Sequence, residues 1–381
     1  MVTNFPAEFG FHVPTRIVFG EGSLARLPEV IDEACGGTGA SVFLVTGKHS
    51  LKAQGILDRV LGSLGRFHVT HFDGAVPFPA SQDVDRALEA CRRADPDAVV
   101  AIGGGSAMDL AKLTAVLMAN PGPSIEYGKR LRTIEQPGLP FIAVPTTSGS
   151  SSEVTPGMAM WQWDENTSYN VRHTYMFPTV ALVDPDLTMS MPRDLAAASG
   201  VDAFSSAFES YWATGAQPMT DTLALGVVRM FAENLEASCR DGGRAARAAC
   251  ALAATMSGVG YSNCPPNVCH AFSRPLTIFW RVAHGQAVGV TLPAFLERNA
   301  PAIAHKLPPL WEALGVGGLD EAVARVTSIM RNCGLETRLG ELGVSEGDLD
   351  RYLDVVAWER LATMPTDLSR QEARDLLKSL L

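Results

Sequence analysis

Along the first half of the chain, short apolar runs alternate with longer amphipathic stretches, and the runs end in glycines and hydroxyl residues. Ser41–Thr46 has the continuous apolar character of a strand covered on both faces, Asp97–Ile102, Pro140–Pro145 and Val180–Val183 are further apolar runs, and another strand is read near His68–Phe72. Helical patterning fills intervals between them at Ser23–Ala34, about Leu51–Leu64 and about Gln82–Ala94. Strand and helix alternating in this way predict a parallel sheet with helices on both sides. The first twenty residues hold two prolines and alternate weakly, which suggests extended edge structure, and Met158–Trp163 is a further apolar run of the same domain. After Asp184-Pro185 the texture changes to long Ala- and Leu-rich helical stretches, such as Asp221–Leu235 and Gly243–Met256. The pattern therefore predicts an α/β domain over 1–190 and an all-helical domain over 191–381.

Candidate chemistry sits where the predicted strands end. The stretch Ala101–Lys112, AIGGGSAMDLAK, places three glycines and a serine between a strand and a helix, where free backbone N–H groups can face an anion. It is not the spaced G-x-G-x-x-G fingerprint, so alone it also fits a tight turn without a ligand. Gly47-Lys48-His49-Ser50 and Thr146-Thr147-Ser148-Gly149 follow two other strands and read as further ligand edges. In the helical half, Gly200–Glu209 reads as a helix with Asp202 and Ser206 on one face. His270 and His284 follow in CHAFSRPLTIFWRVAHG. One carboxylate and two imidazoles are ligand types for a divalent metal, although taken alone they equally fit core histidines.

Bulk properties narrow the field. A length of 381 residues exceeds one ordinary core, and 46% hydrophobic with 19% charged content suits a globular protein. A net charge of −10 argues against non-specific nucleic-acid binding. No apolar run reaches membrane-helix length, and no basic flank precedes an apolar stretch at the start, so a cytoplasmic protein without a signal peptide is expected. Seven scattered cysteines suit a reducing compartment. Cys264 and Cys269, just before His270, read as thiols or, alternatively, as metal ligands.

GGGSAMDLAK, VPTTSGSSSEVTP, VDPDLTMSMP, SGVDAFSSAFESYW and the pair His270 and His284-Gly285 together resemble the iron-containing (group III) alcohol dehydrogenase superfamily, in order and spacing, over nearly the whole chain. CHAFSRPLT and ESYW are most similar to its phosphonoacetaldehyde reductase branch. The resemblance implies a Rossmann-like dinucleotide-binding domain followed by an all-α domain, the architecture shared with dehydroquinate synthase. It implies that Gly103, Gly104, Gly105 and Ser106 hold the dinucleotide diphosphate and that Asp109 supports their loop. Thr146, Thr147 and Thr155 would line the cofactor site, with Leu187 near the adenosine. It also implies a metal held by Asp202, His270 and His284, a small carbonyl substrate and a homodimer. Hydride would pass from a nicotinamide lying across the cleft between the domains.

Three positions depart from the family pattern. Ser206 stands where a further histidine ligand is expected, Arg274 replaces a histidine or tyrosine four residues after His270, and Ser168 replaces a lysine expected by the nicotinamide. Serine is a poor partner for Zn²⁺ or Fe²⁺ beside imidazole, so either a three-ligand metal site or a metal-free pocket is expected. In the latter, Arg274 supplies positive charge and His284 or a cofactor hydroxyl passes a proton. Asp202, Arg274 and His284 are thus the candidate catalytic residues. Arg172, Arg274 and Arg281 are candidates for an anionic, phosphonate-bearing substrate. Gly47, with Lys48, His49 and Ser50, leaves room and positive charge for a 2′-phosphate, which predicts NADPH over NADH. Two rivals are a sugar-phosphate cyclase that uses NAD transiently and a dinucleotide-binding protein without turnover.

Overall fold

The computed structural model describes residues 8–240 and 242–381. The chain divides into two compact units, Val13–Ser190 and a second made of Met191–Leu381 together with the stretch ending at His12. The sequence pattern places that first stretch with the α/β half. In the structure the His12 N–H donates to Asn263 Oδ1 at 2.6 Å, so it joins the helical unit.

In the first unit six strands form one parallel sheet: β1 (Arg16–Phe19), β2 (Ser41–Gly47), β3 (His68–Ala75), β4 (Ala98–Gly103), β5 (Phe141–Pro145) and β8 (Val180–Val183). Their order is β1-β8-β5-β4-β2-β3. Alternate residues of the central strands enter opposite layers: Phe43, Val45, Val99 and Ala101 pack into one apolar cluster, Val42, Leu44, Val100 and Ile102 into the other. Both layers are covered, which is why these strands read as unbroken apolar runs. The run at Met158–Trp163 lies outside this sheet: β6 (Gly157–Gln162) pairs with β7 (Thr167–Arg172) as an antiparallel hairpin. The helix expected over about Leu51–Leu64 is also interrupted. Gly55, at φ 67°, separates Ser50–Ala53 from Ile56–Ser63, because a left-handed residue cannot continue a right-handed helix.

The strand order reverses between β2, which leads out to β3, and β4, which returns beside it and leads towards β5. In open parallel sheets a crevice forms at the carboxyl ends of such a pair. Gly47 and Gly103 are the last residues of these two strands.

The second unit is helical throughout its described residues, around the helix Arg193–Trp212, which is buried from Ala196 to Trp212 apart from Ser199. The long helices Pro218–Arg240 and Arg244–Tyr261 pack on it and on each other. Among the described residues no helix is long and apolar enough to cross a membrane.

One buried cation ties the glycine loop to the loop after β5. Lys112, only 1% exposed, lies 3.5 Å from Asp109 Oδ1 and donates to Ser152 Oγ at 2.9 Å, Thr155 Oγ1 at 3.3 Å and the Gly157 carbonyl at 2.9 Å. Burial holds its pKa below the ordinary lysine value, with Asp109 opposing; burial likewise raises that of Asp109. Lys112→Ala leaves Asp109 without its cation and is expected to destabilise this unit by about 3 kcal/mol. Denaturant unfolding of Lys112→Ala, Asp109→Ala and the double variant checks this; the double loss should be smaller than the sum of the singles.

Candidate active site

Gly104 precedes the helix Gly105–Leu117 without a side-chain cap, and no acidic residue stands in the first turn, so its leading N–H groups are left for an outside acceptor. A Cβ on Gly105 would overlap the Ser150 side chain, which is why only glycine lets the loop after β5 lie so close. In that loop Thr146 N–H donates to the Gly103 carbonyl at 2.9 Å, and Ser148 Oγ is buried with no hydrogen-bond partner among the described residues. Ser106 Oγ accepts from Phe78 N–H at 3.2 Å. Uncapped N–H groups and an unpartnered hydroxyl fit the diphosphate of a dinucleotide. Lys48, His49 and Ser50 are exposed beyond the end of β2, with no carboxylate among them. Thr155 is buried and bonded to Lys112, while Leu187 packs inside an apolar cluster.

The helical unit brings Asp202, His270 and His284 together, with one ligand atom from each lying within 4.8 Å of the others. Asp202 Oδ1 is 3.3 Å from His270 Nε2 and 3.7 Å from His284 Nε2. His284 opens the helix His284–Gly289, and Gly285 explains its approach: a Cβ there would overlap the Ala198 carbonyl and lie 3.0 Å from Asp202 Cβ. Ser206 Oγ lies 3.5 Å from His270 Nε2, one turn beyond Asp202 on the same helix.

Glu209, fully buried on that helix, orients the imidazole of His270. Its Oε1 accepts from the N–H groups of Asn267 at 3.0 Å and Cys269 at 2.7 Å, at the start of the helix Val268–Trp280. Its Oε2 accepts from His270 Nδ1, leaving Nε2 directed at Asp202. Burial disfavours charge on the ring, but Glu209 and the hydrogen bonds to Asp202 and Glu209 outweigh it, and the His270 pKa is pushed up to about 9. Burial also raises Asp202, yet His284 and His270 bring it below the ordinary carboxylate value. Burial lowers His284 against the opposing pull of Asp202.

These residues fit a divalent metal. They supply oxygen and nitrogen donors, a carboxylate fixes the far nitrogen of one histidine, and three ligands leave an open position. Arg274 stands one turn after His270, half-buried, with Nε donating to the Val355 carbonyl at 2.7 Å. Arg281 is exposed at the end of the same helix, seven residues and about 10 Å further along, and Arg172 ends β7 in the other unit. The sequence reading passed over Glu209 and Lys112, although spacing signals both: Asp202, Ser206 and Glu209 fall on one helical face, and Asp109 precedes Lys112 by three. All seven cysteines are free, and the three-ligand cluster includes none of them.

Comparison with known proteins shows the family. Residues 14–185 match the family described as iron-containing alcohol dehydrogenase, and 196–381 match its C-terminal domain family. The chain belongs to the iron-containing alcohol dehydrogenase family, and it is an oxidoreductase linking alcohols and aldehydes through NAD(P)H. It is 32% identical to long-chain-alcohol dehydrogenase 1 of Geobacillus thermodenitrificans, over 96% of each chain. It is 28% identical to the NADPH-dependent butanol dehydrogenase of Clostridium saccharobutylicum, over 97% of this chain and 96% of that one. Among solved structures, sulfoacetaldehyde reductase from Bifidobacterium kashiwanohense in complex with NAD+ superposes with a TM-score of 0.92 at 26% identity, covering 98% and 99% of the two chains.

Because His270 must release a proton from Nε2 to become a ligand, metal binding to chelator-treated protein should strengthen by roughly tenfold per pH unit until about pH 9 and then level off. Glu209→Gln would turn an amide N–H towards His270 Nδ1 and put the ring proton on Nε2. Titration calorimetry with Zn²⁺ should show ~10–100-fold weaker binding in this variant.

Proposed function

We propose that this enzyme reduces a small aldehyde carrying an anionic group, with a phosphonate as first candidate and NADPH as the preferred reductant. Arg274 is the observation that carries the reading. Its guanidinium stays charged, it stands one helical turn from His270, and its terminal nitrogens make no hydrogen bond among the described residues. The likeness to a sulfoacetaldehyde reductase supports an oxyanion at this place in the substrate.

In this reading the N–H groups at Gly104, Gly105 and Ser106 grip the diphosphate, and Lys48 and Ser50 take the 2′-phosphate. Asp202, His270 and His284 hold a divalent cation, and Glu209 keeps His270 in the tautomer that can ligate. When bound, the nicotinamide supplies a hydride and the cation draws electron density from the carbonyl oxygen. Arg274 fixes the far end of the substrate, so the aldehyde carbon is presented in one orientation. The aldehyde gains a hydride at carbon and a proton at oxygen to give the alcohol.

A second reading follows from Ser206, which leaves the ligand set at three. Without a cation, Arg274 would hold the developing oxyanion and His284 would pass the proton. Chelation separates the two. Metal-assisted reduction predicts a loss of at least ~100-fold in NADPH-linked turnover, restored by Fe²⁺ or Zn²⁺. Unchanged turnover in protein shown to be metal-free establishes the second. In the same assay phosphonoacetaldehyde and sulfoacetaldehyde should exceed propionaldehyde in kcat/KM, and NADPH should exceed NADH. Equal rates on neutral aldehydes would remove the anionic substrate, and an NADH preference would remove the role given to Lys48 and Ser50.

A further inference from the structure

The segment from Val355 to Thr363 lies along the helix Val268–Trp280, held by hydrogen bonds at three places. Arg274 Nε donates to the Val355 carbonyl at 2.7 Å, Ala357 N–H to the Ala271 carbonyl at 3.4 Å, and Asn267 Nδ2 to Thr363 Oγ1 at 3.4 Å. Pro275, inside the helix, has no N–H to offer the Ala271 carbonyl, which leaves that carbonyl open to Ala357. The anchors at Asn267 and Arg274 bracket His270 on the helix, and those at Val355 and Thr363 bracket Arg360 on the segment.

Arg360 is half-buried, and among the described residues its guanidinium makes no hydrogen bond and no ion pair. Its charge acts on Arg274 and on His284, and Glu209 and Glu359 act on it. Glu209 is not hydrogen-bonded to it: the bonds it accepts come from Asn267, Cys269 and His270. Glu359 acts on Arg274 as well, but among the described residues neither guanidinium has a carboxylate within ion-pair distance, so both are partly withdrawn from water with donor capacity left for an anion. Their planar donor forks suit a group with several oxygens, which each can hold by paired bonds.

We propose that Arg360 is a specificity-determining residue that, together with Arg274, clamps the anionic end of the aldehyde beside Asp202, His270 and His284. The inference rests on the anionic-aldehyde reading above. It adds a residue 86 positions from Arg274 and a definite chemistry for the ligand, a compact oxyanion such as a phosphonate or sulfonate on a short chain.

The test compares the intact enzyme with Arg360→Gln and Arg360→Lys, after thermal melts establish that each is folded. The first readout is the ratio of kcat/KM for phosphonoacetaldehyde, and separately sulfoacetaldehyde, to that for propionaldehyde. Arg360→Gln should lower this ratio about 100-fold, chiefly through KM of the anionic substrate, and Arg360→Lys should recover only part of it. The second readout needs no turnover: calorimetric binding of 2-hydroxyethylphosphonate and of 2-hydroxyethanesulfonate to chelator-treated protein, which should weaken by a similar factor in Arg360→Gln. Comparing the two probes decides between phosphonate and sulfonate. A wild-type ratio and wild-type binding in Arg360→Gln would overturn the clamp while leaving Arg274 as sole anion site. If the unaltered enzyme neither favours the anionic aldehydes nor binds the two probes, the anionic reading itself fails and the clamp goes with it.

Discussion

The candidate metal site depends on a carboxylate that is not one of its ligands. Burying Glu209 without exposure would cost several kcal/mol if its charge stood alone. Here the backbone N–H groups of Asn267, Cys269 and His270 at a helix start and an imidazole N–H donate to it, and charge-assisted bonds of this kind are among the stronger ones available. The same helix, Arg193–Trp212, carries Asp202 seven residues earlier, so one element supplies both a ligand and the group that orients a second ligand. Trp212 adds to the junction by donating Nε1–H to Asn267 Oδ1 at 3.0 Å. The third ligand arrives by backbone proximity, through Gly285 against Ala198. Errors in ligand placement are thereby limited to what one rigid helix and its two contacts permit.

The α/β unit solves a similar problem with the sign reversed. Lys112 is buried near Asp109 and satisfied by two hydroxyls from the loop after β5 and by the carbonyl of Gly157, which opens β6. That loop also meets the glycine turn at Gly105 through Ser150. Residues 146–157 are therefore bound to the helix at two places about two turns apart, and the uncapped N–H groups of Gly104, Gly105 and Ser106 sit in a rigid frame. Rigidity matters here because an anion held by backbone dipoles gains only if those dipoles are already aligned.

The apolar runs of β2, β4 and β5 were readable because both faces of these strands are covered and no polar alternation interrupts them. The glycine loop and the aspartate and histidine positions were readable because several motifs together resemble, in order and spacing, those of one known family. Other features depend on long-range contacts. The spacing of Glu209 puts it on the face of Asp202 and Ser206, but its orienting role rests on partners about sixty residues away. Arg360 belongs to no motif, and its surroundings are fixed by a chain segment docked on a distant helix. Arg281 looked equivalent to Arg274 in sequence, but a helix of 1.5 Å rise carries it about 10 Å off, to an exposed terminus. The break at Gly55 was missed because an isolated glycine in an amphipathic stretch is compatible with either a continuing or an ended helix.

Pro275 has an effect beyond its own turn. A helix ordinarily consumes its interior carbonyls, so a neighbouring segment can grip it only through side chains. The carbonyl left open at Ala271 gives the stretch Val355–Thr363 a main-chain foothold that is indifferent to which side chains the stretch carries. None of Asp202, His270 and His284 lies on this stretch itself. The position of the stretch along the helix is therefore set by main-chain atoms, while its side chains, Arg360 among them, are left to meet whatever lies beside His270.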